Sequence, residues 1–288
     1  RLPEVIDDLD VIFEAGAQLA ADDIAKIRAR GGKAIGFRFG NNYFIDAERI
    51  CNGKPCGSIL NGSQFDEIWT TSQHFASCGS YWELLHRCPV RVLPHIWDPC
   101  FVDEACEPLA NVGLLPGYVP GRAKKRLMCF EPNINVIKNC IVPVLCMEAA
   151  FRKRPELIES AMATNAIQLR HHLSFETFVG ALEIAKPVVG GLPVLTFEAR
   201  YNFPWMSAAH GDVIVSHQFV NVPNYLAYDA LWLRFPLVSN IPALRDAGCT
   251  YYYEGYDAIA GGDALIRAMT EHDARREEYN DAADRFLD

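Results

Sequence analysis

The chain has 288 residues, is 50% hydrophobic and carries a net charge of −9, which suffices for sizeable cores and, by length, for two domains. Its acidic pI near 5.4 and the absence of any long basic run argue against a phosphate-tracking nucleic-acid surface. The most apolar stretch, Ile141–Met147, is too short to span a membrane and contains Pro143, and there is no signal-peptide pattern.

The ten cysteines are irregularly spaced and form no Cys-x-x-Cys pair. They read as reduced, buried thiols of a cytoplasmic protein, with a Cys51–Cys56 loop disulfide as the lesser alternative. A zinc site lacks paired ligand spacing, and no metal ligands are assigned.

In chain order, Asp10–Phe13 reads as a strand ending in Glu14-Ala15-Gly16. An amphipathic helix follows over Leu19–Arg30, with Ile24 and Ile27 inward and Gly31-Gly32 as its stop. Lys33–Phe39 is a second strand opening into Gly40-Asn41-Asn42. Residues Tyr43–Gly62 read as a short helix and then a Gly/Asn/Cys loop. Glu67–Thr71 is a strand, Phe75–Arg87 a helix and Val90–Pro94 a strand. Alternating strands and helices predict a parallel α/β domain.

From Pro99 to Arg126 the pattern lapses, and Pro116–Gly121 is turn chemistry. The expected organisation is a domain over 1–98, a linker over 99–125, a second α/β domain over 126–272 and a terminal helix over 273–288. In the second domain Arg126–Glu131 predicts a strand. Pro132-Asn133-Ile134-Asn135 then leads into a helix from about Val136 to Phe151. Ser174–Ala185 predicts an amphipathic helix with Ser174 as N-cap and Phe175, Phe178, Val179 and Leu182 on one face. Leu192–Phe197 is a strand and Phe203–Ala209 a helix. Cys249–Tyr253 is a strand, Tyr256–Thr270 a helix capped near Asp257, and Arg275–Phe286 a charged helix.

The most informative stretch is Asp212–Val238, DVIVSHQFVNVPNYLAYDALWLRFPLV. It reads as a strand (Asp212–Ser216), a polar loop punctuated by Pro223, a helix (Tyr225–Leu233) and a strand beginning at Pro236. In parallel α/β sheets, ligands bind at the carboxyl ends of strands and the amino ends of the following helices. The loop places His217, Gln218, Asn221 and Asn224 there, with Asp229 one helical turn further in.

This stretch resembles the donor-nucleotide segment of GT-B glycosyltransferases, especially the retaining, glycogen-synthase-like ones. Those carry a strand, a loop Glu, a second Glu eight residues later on a helix, and then Pro-Val-Val. Without gaps, Asn221 falls on the first Glu, Asp229 on the second, and Pro236-Leu237-Val238 on Pro-Val-Val. More closely, VSHQ followed by NYLAYDALW…PLV resembles a bacterial glycosyltransferase-like family of unknown function. Val92-Leu93-Pro94-His95-Ile96-Trp97-Asp98 with Phe101 is similar to the close of a GT-B amino-terminal domain, with His95-Ile96 in place of Asn-Gly. The opening strand, Gly-rich turn and helix of such domains are not found before Asp10, and the chain starts at Arg1 rather than Met. One or two βα units, at roughly 30 residues each, are therefore expected upstream. The resemblance implies two facing Rossmann-like parallel-sheet domains, the first truncated, with the terminal helix able to cross back onto it.

For site residues, the resemblance implies that Asp229 accepts hydrogen bonds from a ribose diol. Asn221 sits where retaining enzymes place a carboxylate, and it cannot carry that charge. His217 or Gln218 at a strand end would meet a phosphate or a sugar hydroxyl, or serve as structure. Backbone N–H groups near Asn133 and Asn135, with Lys138 one turn in, would cradle a diphosphate. Asn224 could bind ligand or shape the turn. On the acceptor side, Glu14 is the candidate base, with His95 and His74 behind it. Arg38 would pair with Glu14 or meet a phosphate. His171-His172 with Glu176 has poor metal geometry on a helix and is assigned to the surface.

Together these readings predict a metal-independent glycosyltransferase with no cofactor. It would move a sugar from a nucleotide-sugar donor to a hydroxyl of a glycan or small-molecule acceptor. The absence of Gly-x-Gly-x-x-Gly argues against a dinucleotide oxidoreductase. A nucleotide-sugar epimerase of the same fold and a non-catalytic binding protein remain open.

Overall fold

The structure is a computed structural model that describes residues 5–16, 18–55, 63–187, 191–222 and 224–288. Cys56, the end of the 43–62 segment and Pro223 lie outside these residues. The chain divides into two units, one of Arg1–Ile96 with Asn135–Ile137 and Val220–Val222, the other holding the remainder.

In the first unit, β1 (Val11–Ala15), β2 (Lys33–Arg38), β3 (Glu67–Thr71) and β4 (Val90–Leu93) form a parallel sheet in that order. Between them lie α1 (Ala21–Ala29), α2 (Asn42–Cys51) and α3 (Ser72–His86). The 3.6-residue spacing of Ile24 and Ile27 turns both into the core, against Ile12, Ala34, Ile68 and Trp82. Burying side chains of this kind contributes about 1.5–3 kcal/mol each. Asn41 caps α2 by accepting from Phe44 N–H.

The segment 97–125 is not a free linker. It belongs to the second unit and carries α4 (Cys100–Cys106) and a 3-10 turn at Glu107–Val112. Val102 and Leu109 are buried, and Trp232 Nε1 donates to Asp103 at 2.7 Å. Gly117 holds φ +83°, and a Cβ there would lie 2.6 Å from Leu233 O. The adjacent Tyr118 N–H donates to that same carbonyl.

The second unit holds β5 (Lys125–Cys129), α5 (Ile141–Lys153), β6 (Ile158–Ala163), α6 (Leu173–Gly180) and β7 (Leu195–Phe197). It continues with α7 (Phe203–His210), β8 (Val213–Val215), α8 (Tyr225–Trp232), β9 (Leu237–Ser239), α9 (Pro242–Ala247), β10 (Tyr251–Tyr252) and α10 (Ala258–Leu287). The strand order is β10-β9-β8-β5-β6-β7, with every pair parallel. The chain winds outward from β5 to β7, then returns to the other flank of β5 at β8. The winding therefore reverses between β5 and β8. That reversal is the switch point at which open α/β sheets bind ligands, beyond the carboxyl ends of the strands.

Several expectations are corrected. β6 escaped the sequence reading because IESAMA lacks β-branched density. It is a strand because Ala161 and Ala163 are buried between neighbours. α5 begins at Ile141, not Val136. The Asn135 side chain takes Ile137 N–H at 3.1 Å, and the Asn133 side chain takes Cys140 N–H at 2.8 Å. These Asn-to-backbone bonds compete with helix formation and delay it. α6 is preceded by His172 rather than capped by Ser174. The two helices expected over 256–286 are one helix, α10, capped by Asp257. Residues 273–288 continue that helix in the second unit, where Tyr279 Oη accepts from Leu237 N–H. Gly262 sits so close to α5 that a Cβ would lie 2.6 Å from the Ala149 methyl, so the glycine permits the close approach of the two helices. Among the described residues no helix is long and apolar enough to cross a membrane.

Candidate functional site

β5 and β8 are held together at both ends. At the amino end, Arg126 grips Asp212. Its backbone N–H and Nε reach one carboxylate oxygen at 2.8 and 3.0 Å, and its Nη2 reaches the other at 3.0 Å. At the carboxyl end, Ser216 Oγ donates to Glu131 Oε1 at 2.8 Å and the His217 N–H reaches the same oxygen at 3.3 Å. Gln218 Nε2 donates to Ser216 Oγ at 2.9 Å. Asn240, just past β9, accepts from Gln218 N–H and donates to Gln218 O. The ends of three adjacent strands thus share one polar network.

Glu131 is 1% exposed. Burial raises its pKa to about 7, against the opposing pull of the Ser216 and His217 bonds and the Lys138 charge. Lys138 is half-buried and its pKa is lowered, again by burial first, with Glu131 opposing. A carboxylate and an ammonium in mutual influence therefore stand at the switch point.

Asn133 adopts φ +55°, the left-handed region that Asn tolerates better than most residues. Its amide donates to Glu131 O, Thr164 O and Asn165 O at 2.9–3.2 Å. With its oxygen on Cys140 N–H, this side chain organises the loop between β5 and α5 and ties it to the turn after β6.

His217 is buried. Its Nδ1 lies 3.1 Å from Tyr253 Oη, which in turn donates to Ser216 O at 3.0 Å. Its Nε2 is buried with no hydrogen-bond partner among the described residues. Burial lowers the imidazole pKa to about 4. The Tyr256 ring leans against it at a centroid distance of 4.7 Å.

The structure thus gathers Asn133, Lys138, His217 and Gln218 at one end of the second sheet. Asn224 caps α8, accepting from Ala227 N–H. Asp229, in the second turn of α8, accepts from Trp97 Nε1 at 2.8 Å. Its pKa is raised by burial, with the indole bond opposing, and Trp97 stacks on Tyr228. Asn135 and Asn221 group with the first unit. There Glu48 accepts from Val136 N–H and Asn41 Nδ2 donates to Val220 O. Asn221 is 3% exposed, and its Nδ2 is buried without a partner among the described residues. Val220 beside it holds φ +46°, a strained conformation for a β-branched residue.

In the first unit, Glu14 is buried. Arg38 Nη1 binds one of its oxygens at 2.5 Å and Leu19 N–H the other at 2.8 Å. The Arg38–Glu14 pairing expected from the sequence is present. His95 is half-buried and burial lowers its pKa. His74 is buried, 3.1 Å from Phe39 O. His171 and His172 are exposed.

The sequence assigns no role to Ser216 or Asn240, and it offers Glu131 only as the start of the diphosphate turn and Tyr253 only as strand wall or a ring flanking the donor base. Glu131 did carry a signal, being a carboxylate directly after the apolar run Leu127–Phe130. The other three are ordinary residues until the sheet aligns them.

A 670 Å³ cavity in the first unit lies beside α1, lined by Arg28, Lys33 and Asp66 among others. It opens at the amino ends of β2 and β3, the end where such sheets do not bind ligands. A 470 Å³ apolar groove follows α5, α6 and the start of α10. Neither coincides with the polar network, and chemistry rather than volume singles out the switch point.

Two parallel-sheet units, the second in 3-2-1-4-5-6 strand order, define a GT-B type fold, and the similar solved structures have that fold. A Burkholderia xenovorans α,α-trehalose-phosphate synthase (UDP-forming) in complex with glucose-6-phosphate matches with TM-score 0.65 and 14% identity, over 99% of this chain and 71% of that one. The E. coli enzyme bound with UDP-2-fluoro glucose matches with TM-score 0.61 and 15% identity, over 99% and 72%. The trehalose-6-phosphate synthase OtsA matches with TM-score 0.62 and 16% identity, over 99% and 70%. No curated protein matches the chain. The chain belongs to the family described as "Protein of unknown function (DUF2827)", whose model matches residues 1–288.

Proposed function

We propose that this protein is a glycosyltransferase that takes a sugar from a nucleotide-sugar donor to a hydroxyl of a glycan or small-molecule acceptor. The observation that carries this reading is the polar network at the β5/β8 switch point, where Glu131, Lys138, His217 and Gln218 meet on a GT-B type fold. Lys138 would neutralise the donor diphosphate, and the loop N–H groups of Val136, Ile137 and Cys140 would join it only after release from the Glu48, Asn135 and Asn133 side chains that now accept from them. Asp229 would hold the ribose, as the resemblance implies. The nucleotide sugar is substrate, and the proposed step needs no further cofactor. Glu14 and His95 stand as candidates on the acceptor side. Glu14 would act as a base only after release from Arg38, which now engages it.

A second reading is favoured by Asn221, which offers an amide where retaining relatives carry a carboxylate. A nucleotide-sugar epimerase or a non-catalytic binder would tolerate that change. Incubation with labelled UDP-, ADP- and GDP-sugars, with and without acceptor glycans, separates the cases. Label in the acceptor supports transfer, altered sugar with free nucleotide supports epimerisation, and retention of intact ligand supports a binder. Absence of all three outcomes removes the nucleotide-sugar reading.

A further inference from the structure

We propose that His217 is a specificity-determining residue whose Nε2 accepts a hydrogen bond from a hydroxyl of the bound nucleotide sugar rather than contacting its phosphates. This inference rests on the nucleotide-sugar reading and goes beyond it by assigning the proton.

The geometry fixes the tautomer. Ser216 O can only accept, whereas the neighbouring Cys146 thiol, its pKa pushed up to about 12 by burial, keeps a proton of its own, so Tyr253 Oη, 3.0 Å from Ser216 O, commits its one proton there. The phenol oxygen is then an acceptor toward His217 Nδ1 at 3.1 Å, and Nδ1 carries the ring proton. Nε2 is left as a lone pair. Tyr253 is 1% exposed, so it cannot readily turn away to reverse the relay. The imidazole also stays neutral, because burial holds its pKa near 4.

An unpaired buried acceptor is costly, and it gains only from a ligand that brings a donor. A phosphate oxygen brings another lone pair and is repelled. A sugar or ribose hydroxyl brings the missing proton. The ring leaning on His217 belongs to Tyr256, which is 61% exposed. A ligand reaching the imidazole would therefore displace a solvent-facing ring rather than a packed one. Gly255, at φ +50°, precedes it.

The test has two arms on the intact protein. Long-range ¹⁵N–¹H spectra of the histidine side chains should show His217 protonated at Nδ1 and bare at Nε2, and Tyr253→Phe should move the proton to Nε2. A wild-type ring protonated at Nε2 overturns the inference.

Calorimetry with UDP-, ADP- and GDP-glucose, and with deoxy analogues lacking single ribose or glucose hydroxyls, forms the second arm. One hydroxyl deletion should cost wild type at least about tenfold in affinity and should cost His217→Phe nothing further. Tyr253→Phe, which keeps the ring, should lose the same discrimination if the larger change at 217 disturbs folding. Binding by wild type with undiminished discrimination in both variants overturns the role of His217 and leaves the functional reading standing. No binding by any of the three nucleotide sugars overturns both.

Discussion

Ser216 Oγ donates to Glu131 Oε1 at 2.8 Å, so residues 85 positions apart join the ends of the two strands between which the sheet reverses its winding. The acceptor is a carboxyl group that burial holds near neutrality in pKa, about 7.

That position gives a pH dependence with a definite sign. The folded-state pKa lies above the unfolded value of 4.5, so the native state holds the proton more tightly. Stability from this group is full below about pH 4.5 and is lost as pH rises through about 7, a change of roughly 3 kcal/mol. Glu131→Gln should remove that component. Denaturant unfolding at pH 5 and pH 8 should show wild type losing more stability on alkalinisation than the variant; equal slopes would discount the buried carboxyl.

His272 runs the other way. Burial lowers its pKa to about 4, with Asp273 opposing and Lys125 and Arg276 reinforcing the shift. It packs edge-on to Tyr118 and Tyr279, and its Nδ1 lies 3.3 Å from Tyr251 Oη. A histidine kept neutral by the fold stabilises fully above pH 6.5 and loses that contribution as pH falls toward 4, up to roughly 3 kcal/mol. Its ring proton resonances should not titrate above about pH 5. His272→Phe should flatten acid unfolding between pH 6.5 and 4.

Arg126 and Asp212 clamp the opposite ends of β5 and β8. Asp212 is 2% exposed. Asp212→Ala would leave the guanidinium without its carboxylate and should destabilise the protein by about 3–5 kcal/mol. Arg122 Nε also lies 3.3 Å from Asp212 and would keep only its pairing with Glu159, at 3.1 Å. A loss of unfolding free energy below about 1 kcal/mol in urea titrations would show that the clamp contributes little.

Trp97 and Asp229 form the remaining testable pair. Trp97→Phe keeps an aromatic ring on Tyr228 but deletes the indole donor, leaving a half-buried carboxylate short of one bond. The expected cost is about 1–3 kcal/mol, with a further rise in the Asp229 pKa. Asp229→Ala should weaken nucleotide-sugar binding more than Trp97→Phe does. Equal affinities for the two variants and wild type would reduce Asp229 to an anchor for the Trp97 segment.

Most elements were legible because their signals are local. Ile24 and Ile27 at helical spacing, Glu67–Thr71 as a strand and Asp257 as a cap all follow from side-chain periodicity and capping chemistry. β6 and the start of α5 were not legible. The first is a strand only because neighbours bury its alanines, and the second is delayed by Asn133, whose amide bonds to carbonyls 31 and 32 residues away.

By itself, then, the amino-acid order determined the alternation of strands and helices and placed His217 and Gln218 at a strand end, since those properties depend on spacing along the chain. Only the tertiary structure decided that Glu131 completes the cluster, that Tyr253 Oη faces His217 Nδ1, and that Asp229 answers to Trp97. Each of those rests on burial and on partners distant in sequence, and neither desolvation nor a hydrogen bond across the sheet exists until the strands are side by side.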